Sequence, residues 1–389
     1  MESALRVAIV GEALKRPHPH WKKTSVFVAI RDIRFAKGRF ALMGSVVALI
    51  TLLVVLLSGL TAGLAAESVS AVDRLPADRI AFGAAGDSEP KESFADSSVT
   101  ADQVDTWAGA EGVAWAEPLG ITQTRVEAPD GSTTAATIFA AEPGEDLAPD
   151  GTADDSLVVG RSLADEKGLE VGDVLTLGGT DLTITRIARD DSYSHTPVVW
   201  TSLDTWRSFA PSGTANGSPA GTVIAIGMGA DHAPADTAAI DTDAETVSAT
   251  RSDSLSAIGA FSSENGSLLM IQGFLYAISA LVVGAFLTVW TIQRSGDIAI
   301  LKALGGSTGY LLRDALAQAL LVLLAGAGVG GLAGFGVGVL AERVVPFSLT
   351  VATTVLPVAA MVVLGMLGAV LSVRRITSVD PLTALGGVR

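Results

Sequence analysis

Four long uncharged apolar runs, one near the start and three packed into the C-terminal third, constrain this chain more than any other feature. They cover residues 41–66, 266–293, 315–341 and 344–373, the last cleaner from Val351 onward. Each exceeds the roughly 20 residues a helix needs to cross a hydrocarbon core about 30 Å thick. Lipid gives backbone amides no hydrogen-bond partner, so runs this long persist there as helices, barrel strands being about half as long. The expected fold is therefore an α-helical membrane protein with four transmembrane helices, one plus three. A large α+β extracytoplasmic domain fills residues 67–265.

The first run ends in small residues, Gly63, Leu64, Ala65 and Ala66, which a signal peptidase would accept. A signal core is only about 7–15 residues long and follows a short basic stretch. Here 40 residues come first, so a retained anchor is expected.

Lys and Arg flanking membrane helices stay cytoplasmic, which orients the spans. Residues 1–39 carry nine basic and three acidic side chains, with Arg31, Arg34, Lys37 and Arg39 just before the first run. Residues 67–265 carry ten basic and 34 acidic ones. Residues 294–314 and the tail from Arg374 are again mildly basic. Four crossings satisfy all these segments, with both termini cytoplasmic and the acidic domain outside the plasma membrane. The whole-chain charge of −15 averages two unlike parts, since residues 67–265 alone carry −24 (ten basic against 34 acidic), and no basic footprint for nucleic acid remains.

The chain has no cysteine, so the outer domain holds no disulfide, thiolate metal site or thiol nucleophile. Its segments alternate in type. Thr100 and Gln103 read as a capping box opening a short helix to about Ala110. Strand-like runs at 112–127 and 132–140 flank the turn Pro129-Asp130-Gly131, and further strands are expected at 173–177, 182–187, 197–201 and 222–228. Segments 86–98 and 143–155 read as exposed loops. Residues 1–24 show no sustained period and form an N-terminal extension, while 26–40 read as a short basic helix entering the membrane. His18 and His20, without further ligands, read as part of a polar tail.

Between the second and third spans, Ile298, Leu301 and Leu304 recur at helical spacing and Gly305 is placed to end the helix. This short amphipathic segment either caps the second crossing at the interface or seats in a groove of a soluble partner and transmits movement.

With this loop the chain resembles the MacB/FtsX-type, mechanotransmitting permeases of ABC transporters. The resemblance rests on the one-plus-three topology, on Asp297-Ile298-Ala299-Ile300-Leu301-Lys302-Ala303-Leu304-Gly305, and on the tail Arg374-Arg375-Ile376-Thr377-Ser378-Val379-Asp380-Pro381-Leu382. It extends to Val159-Gly160-Arg161-Ser162-Leu163-Ala164 and Gly168-Leu169-Glu170-Val171-Gly172-Asp173, similar to that family's outer domain. The resemblance implies a homodimer working with a dimeric ATPase, with Asp297, Ile298, Ile300, Leu301, Lys302, Leu304 and Gly305 at the coupling contact. It also implies an outer domain that moves when ATP closes the partner. No G-x-x-x-x-G-K-[ST] loop occurs in the chain, so ATP is expected on the separate subunit and the permease itself is expected to be non-catalytic.

Gly326, Gly330, Gly334 and Gly338 form a small-residue stripe on the third span, read as ordinary close helix packing. Gly59 and Gly63 on the first span admit packing, a dimer seam or a substrate groove, and Gly365 with Ala369 marks the fourth. No charge lies inside the four runs, so ion coupling is not expected. Their polar residues Gln272, Tyr276 and Gln318 are ones that bundle packing can satisfy.

Residues 27–45, from Phe27-Val28-Ala29 to Met43-Gly44-Ser45, resemble the opening of the haem-exporting permeases of the haem-regulated transporter type. Haem is then the expected cargo, drawn sideways from the bilayer between the first and second helices and bound only in transit. Iron prefers a His, Met, Cys or Tyr axial ligand. The groups expected beside the outer helix ends are Glu67, Glu264, Met270 and Tyr276, with Glu264 and Met270 first, and no histidine is expected there. Against these stand a solvated carboxylate, a lipid-facing methionine and an interfacial tyrosine. Alternative functions are a same-family exporter of lipid, peptide or antibiotic, and an FtsX-like signal transmitter regulating cell-wall hydrolases. The size of the outer domain disfavours the last. An anchored enzyme is disfavoured because the outer domain shows no assembled catalytic set.

Overall fold

The structure, a computed structural model of the chain, describes residues 37–86, 88–209, 219–229, 236–293 and 307–374. Chain contacts divide it into two compact units: 59–271 with 341–348, and the remaining helical segments.

Four helices are long and apolar enough to cross a membrane. They are α1 (Lys37–Asp73), α7 (Gly259–Gln293), α8 (Thr308–Ala341) and α9 (Val351–Arg374). The protein is thus a multi-pass membrane protein with a mixed α/β domain between the first and second spans. Four boundaries differ from the sequence reading. α1 runs seven residues past Ala66, where Ser68, Val69, Ser70, Ala71 and Val72 are buried against protein, and α7 and α8 each start seven residues early, at Gly259 and Thr308. α9 starts at Val351 and not at Val344. There the Thr350 hydroxyl accepts from Thr353 N at 3.1 Å and the Thr353 hydroxyl accepts from Thr350 N at 2.9 Å, which starts the helix after the non-helical Pro346 segment.

In the helical unit the glycine stripe of α8 lies on α1. A methyl group at Gly326 would meet the Gly44 carbonyl and Val47, one at Gly330 the Ala48 carbonyl and Thr51, and one at Gly334 Val55. Close backbone approach is what small residues supply between helices that lipid cannot drive together. Gly365 of α9 likewise faces Leu323, and Ser372 Oγ donates to Gly284 O of α7 at 2.8 Å. Phe40, Met43 and Val47 share a core with Val283, Val322, Leu323 and Ala369. Gln318 donates to Asp314 at 2.9 Å, a polar contact made within α8. Large side chains such as Leu49, Leu281 and Leu332 stay exposed on the outward faces, as lipid contact requires.

The other unit is built on β2 (Val113–Glu127), which follows β1 (Arg79–Phe82) and α2 (Ala101–Ala108). Then come β3 (Thr133–Ala141), β4 (Ser156–Gly160), α3 (Arg161–Lys167), β5 (Val174–Leu177) and β6 (Thr180–Ala188). The chain continues through β7 (Ser192–Tyr193), β8 (Thr196–Ser202), α4 (Leu203–Arg207), β9 (Val223–Met228), α5 (Thr237–Asp243), β10 (Val247–Thr250) and α6 (Arg251–Ser254). The strand order is β10-β1-β9-β2-β3-β8-β4-β6-β5, and β5 pairs back to β2 through Val126↔Leu177. Six strands therefore close into a small barrel, and the first half of β2 leaves it to join the β9-β1-β10 sheet.

Alternation explains the three cores of this unit. Ile138 and Ala140 point into the barrel with Leu157, Val159, Leu182 and Ile184, while Phe139 and Ala141 point to the opposite face. Ile80, Phe82, Val223 and Ala225 join that opposite face, which Val69, Val72 and Leu75 of α1 and Ile258 cover. Ala81, Ile224 and Ile226 turn the other way, under Trp107 of α2. The C-terminal end of α1 is thus part of the domain's own core. The expected capping box is present: the Thr100 hydroxyl accepts from Gln103 N and the Gln103 side chain accepts from Thr100 N. Gly168 and Gly172, at φ +64° and +101°, close the turn from α3 into β5, a backbone that a side chain would strain.

Candidate functional site

The strands β7 and β8 meet in a two-residue turn, Ser194-His195, with φ +47° and +63°. A pair of left-handed residues is the type I′ geometry that suits a tight hairpin, and it normally recruits Asn and Gly. Here neither residue is glycine, so the conformation is held from outside. Ser194 N donates to Ser68 O at 3.0 Å and His195 N donates to Glu67 O at 3.2 Å. Further along α1, Ser70 Oγ accepts from Ser192 N at 2.9 Å, and Arg74 donates to Asp190 O and to the Asp191 carboxylate, each at 2.8 Å. The end of α1 from Glu67, with Arg74 just after it, is laced to the hairpin.

This lacing places the His195 ring among three side chains. Nε2 lies 2.8 Å from Glu264 Oε2 on α7 and 2.9 Å from Ser68 Oγ, while Nδ1 lies 3.5 Å from Glu67 Oε2. A carboxylate only accepts, so the Nε2 proton points at Glu264. The imidazole is 29 % exposed and both carboxylates 46 %, so the cluster is open to solutes. Two of the expected residues, Glu67 and Glu264, are brought together; the expectation that no histidine lies beside them is wrong. His195 is 128 residues from Glu67 and 69 from Glu264, a spacing that no local motif reports.

Met270 does not join them. It lies six residues beyond Glu264 on α7, about 9 Å along the axis and roughly 120° round it, and it is 63 % exposed. Tyr276 follows on the same helix, half-buried. Gly59 and Gly63 receive Phe347 and Pro346 from the α8–α9 connection, and Ser348 N donates to Gly59 O at 3.0 Å. The glycines of the first span are therefore filled from within the chain. Asp297, Ile298, Ile300, Leu301, Lys302, Leu304 and Gly305 lie outside the described residues, as do His232 and the tail beyond Arg374.

A cleft of about 520 Å³, lined by apolar residues such as Leu147, Val158 and Trp200 as well as by charged ones, opens beside Arg74, Arg186 and Arg189. Its cations are matched in place: Arg186 pairs with Asp150 at 3.0 Å, and Arg74 and Arg189 both reach Asp191. It therefore offers an anion no free charge. Among the described residues no group of three or more His, Cys, Asp or Glu is arranged to hold a metal ion.

Residues 269–381 match the family described as FtsX-like permease C-terminal. Over 93 % of its length the chain is 28 % identical to an uncharacterized ABC transporter permease of Mycobacterium tuberculosis, of which 99 % is covered. It is 23 % identical, over 92 % of this chain and 99 % of the relative, to a protein of Staphylococcus epidermidis named putative hemin transport system permease protein HrtB. Among solved structures, the periplasmic region of MacB from Actinobacillus actinomycetemcomitans is similar at 9 % identity and a TM-score of 0.33, covering 46 % of this chain and 90 % of that one.

Proposed function

We propose that this ABC transporter permease, with its FtsX-like C-terminal domain, is the non-catalytic half of an efflux transporter that expels haem from the membrane. It works as a homodimer with a dimeric ATPase. ATP binding by the partner is received at the segment 297–305 and drives the helices, and the extracytoplasmic domain follows. The observation that carries the mechanical part is the end of α1. Val69, Val72 and Leu75 belong to the domain's core and residues 67–74 are laced to its hairpin, so a displacement of α1 displaces the domain. A rigid helix embedded at one end in a packed core transmits movement instead of absorbing it.

The cargo assignment draws on the similarity to the hemin permease and on the outer lengths of α1 and α7. Haem is a flat apolar macrocycle that partitions into lipid, with carboxylates that stay at the headgroups. At the adjoining ends of α1 and α7 it meets Glu67 and Glu264, which the His195 ring brings together. Haem titrated into the purified chain in nanodiscs tests this. The reading requires saturable binding near one haem per dimer; a signal equal to that of empty nanodiscs contradicts it, and moves the search to lipids, peptides and antibiotics.

A further inference from the structure

We propose that the groove between α1 and α8 holds one acyl chain of an anionic phospholipid, whose headgroup meets the basic start of α1. The groove measures about 500 Å³ and is lined by α1 from Phe40 to Ala48 and by α8 from Leu321 to Val329. Its floor is the contact already described, where a methyl group at Gly326 would meet the Gly44 carbonyl and Val47. A methyl group at Gly44 itself would meet nothing within 4 Å, so the space above that floor is left open. Among the lining residues only Ser45 has a polar side chain, and its hydroxyl donates to Leu42 O at 2.8 Å. The groove therefore offers a ligand apolar contact and no free side-chain donor. A gap in hydrocarbon that nothing fills forfeits dispersion contacts along its walls, and an acyl chain supplies them.

Position selects the kind of lipid. Each wall is about 12 Å long at 1.5 Å per helical residue, close to the roughly 15 Å of hydrocarbon in one leaflet. The groove begins at Phe40, directly after Lys37 and Arg39 in the first turn of α1. Arg31 and Arg34 precede them in the chain. Asp314, the one acid in the α8 sequence, accepts from Gln318 at 2.9 Å. The charge at this end is thus positive. With the basic flank on the cytoplasmic side, the groove lies in the inner leaflet, where basic clusters at helix ends attract anionic headgroups.

A second copy of the chain fits less well. Two copies meeting here by two-fold symmetry would present the same surface to each other, which brings Lys37 and Arg39 of one copy towards those of the other with no counter-charge. A phospholipid provides both the apolar tail and the phosphate.

The test is native mass spectrometry of the purified full chain, delipidated and then titrated with phosphatidylglycerol or with phosphatidylcholine of the same acyl chains. The wild type should take up one phosphatidylglycerol per chain saturably and prefer it about 25-fold, two basic residues contributing about 5-fold each. Lys37→Gln and Arg39→Gln should each lower that preference about 5-fold. Gly44→Leu, whose Cβ meets no protein atom within 4 Å, should abolish the saturable adduct at an unchanged thermal midpoint. Gly336→Leu, in equally open space but outside the groove, should retain it. Equal binding of the two lipids, or an adduct that survives Gly44→Leu, overturns the proposal. A lipid-free wild-type dimer that Gly44→Leu turns into monomers overturns it in favour of a contact between copies. No arm of the experiment contains haem, so the cargo reading stands or falls separately.

Discussion

His195 Nε2 stands 2.8 Å from Glu264 Oε2, joining a hairpin turn of the mixed α/β domain to the N-terminal length of α7. Both side chains are partly exposed, and a side-chain hydrogen bond of that kind contributes only about 0.5–1.5 kcal/mol. Glu264→Ala should therefore leave the thermal midpoint of the purified chain nearly unchanged. Any large loss of cargo binding in this variant then reports function, and a midpoint lowered by many degrees would show that the pair is structural.

The face of α8 that packs on α1 should be intolerant, and its other face permissive. Gly330→Leu drives a side chain into the Ala48 carbonyl and Thr51, whereas Gly336 has open space around it. Overpacking of this kind costs about 1–3 kcal/mol. Thermal unfolding and detergent-solubilised yield should fall for Gly330→Leu and stay near wild type for Gly336→Leu. Equal losses would contradict the α1–α8 contact.

Trp107 fills the core under Ala81, Ile224 and Ile226, and its indole N–H donates to Thr246 Oγ1 at 3.0 Å. Trp107→Ala should cost about 3–5 kcal/mol. Thr100→Ala, which removes the cap of the same helix, should cost about 1 kcal/mol. The ranking can be read in urea from the tryptophan-independent circular dichroism of the full chain.

Burial lifts the Glu117 carboxyl above its ordinary value of 4.5, although the Asp146 and Leu147 amides, each 3.1 Å away, pull it back. A raised folded-state value favours the protonated form. Its contribution to stability is present below 4.5 and lost as pH rises through the raised value. The stability advantage of wild type over Glu117→Gln should therefore shrink as pH climbs from about 4 towards neutrality. An advantage that grows over that range would reverse the sign.

The features legible in the sequence are those with long periods or local signals. The four spans, the Thr100 capping box and the strands β2, β3, β5, β6, β8 and β9 all follow from apolar runs and turn residues. β1, β4 and β10 escaped because four or five residues, such as Val-Ser-Ala-Thr at 247–250, are too few to show a period and, unlike the equally short β5 between Gly172-Asp173 and Gly178-Gly179, they are not bracketed by glycine turns. Barrel closure escaped because it rests on a β2–β5 pairing between distant residues, Val126 and Leu177. His195 escaped for two physical reasons. Its turn lacks the Asn-Gly signature, since external hydrogen bonds enforce the geometry, and its partners come from the ends of two helices far away in the chain. Glu67 and Glu264 were reachable because each sits just beyond an apolar run.

The central claim is ATP-driven removal of haem from the bilayer, and one reconstitution tests it. Haem-loaded proteoliposomes containing the chain and its ATPase would be mixed with an apoprotein haem acceptor on the side of the 67–265 domain, and transfer followed in the Soret region. The account predicts transfer that needs ATP and is slowed when Glu264 is replaced by Ala. Transfer at the same rate without ATP, or at the rate of liposomes holding the ATPase alone, would contradict it.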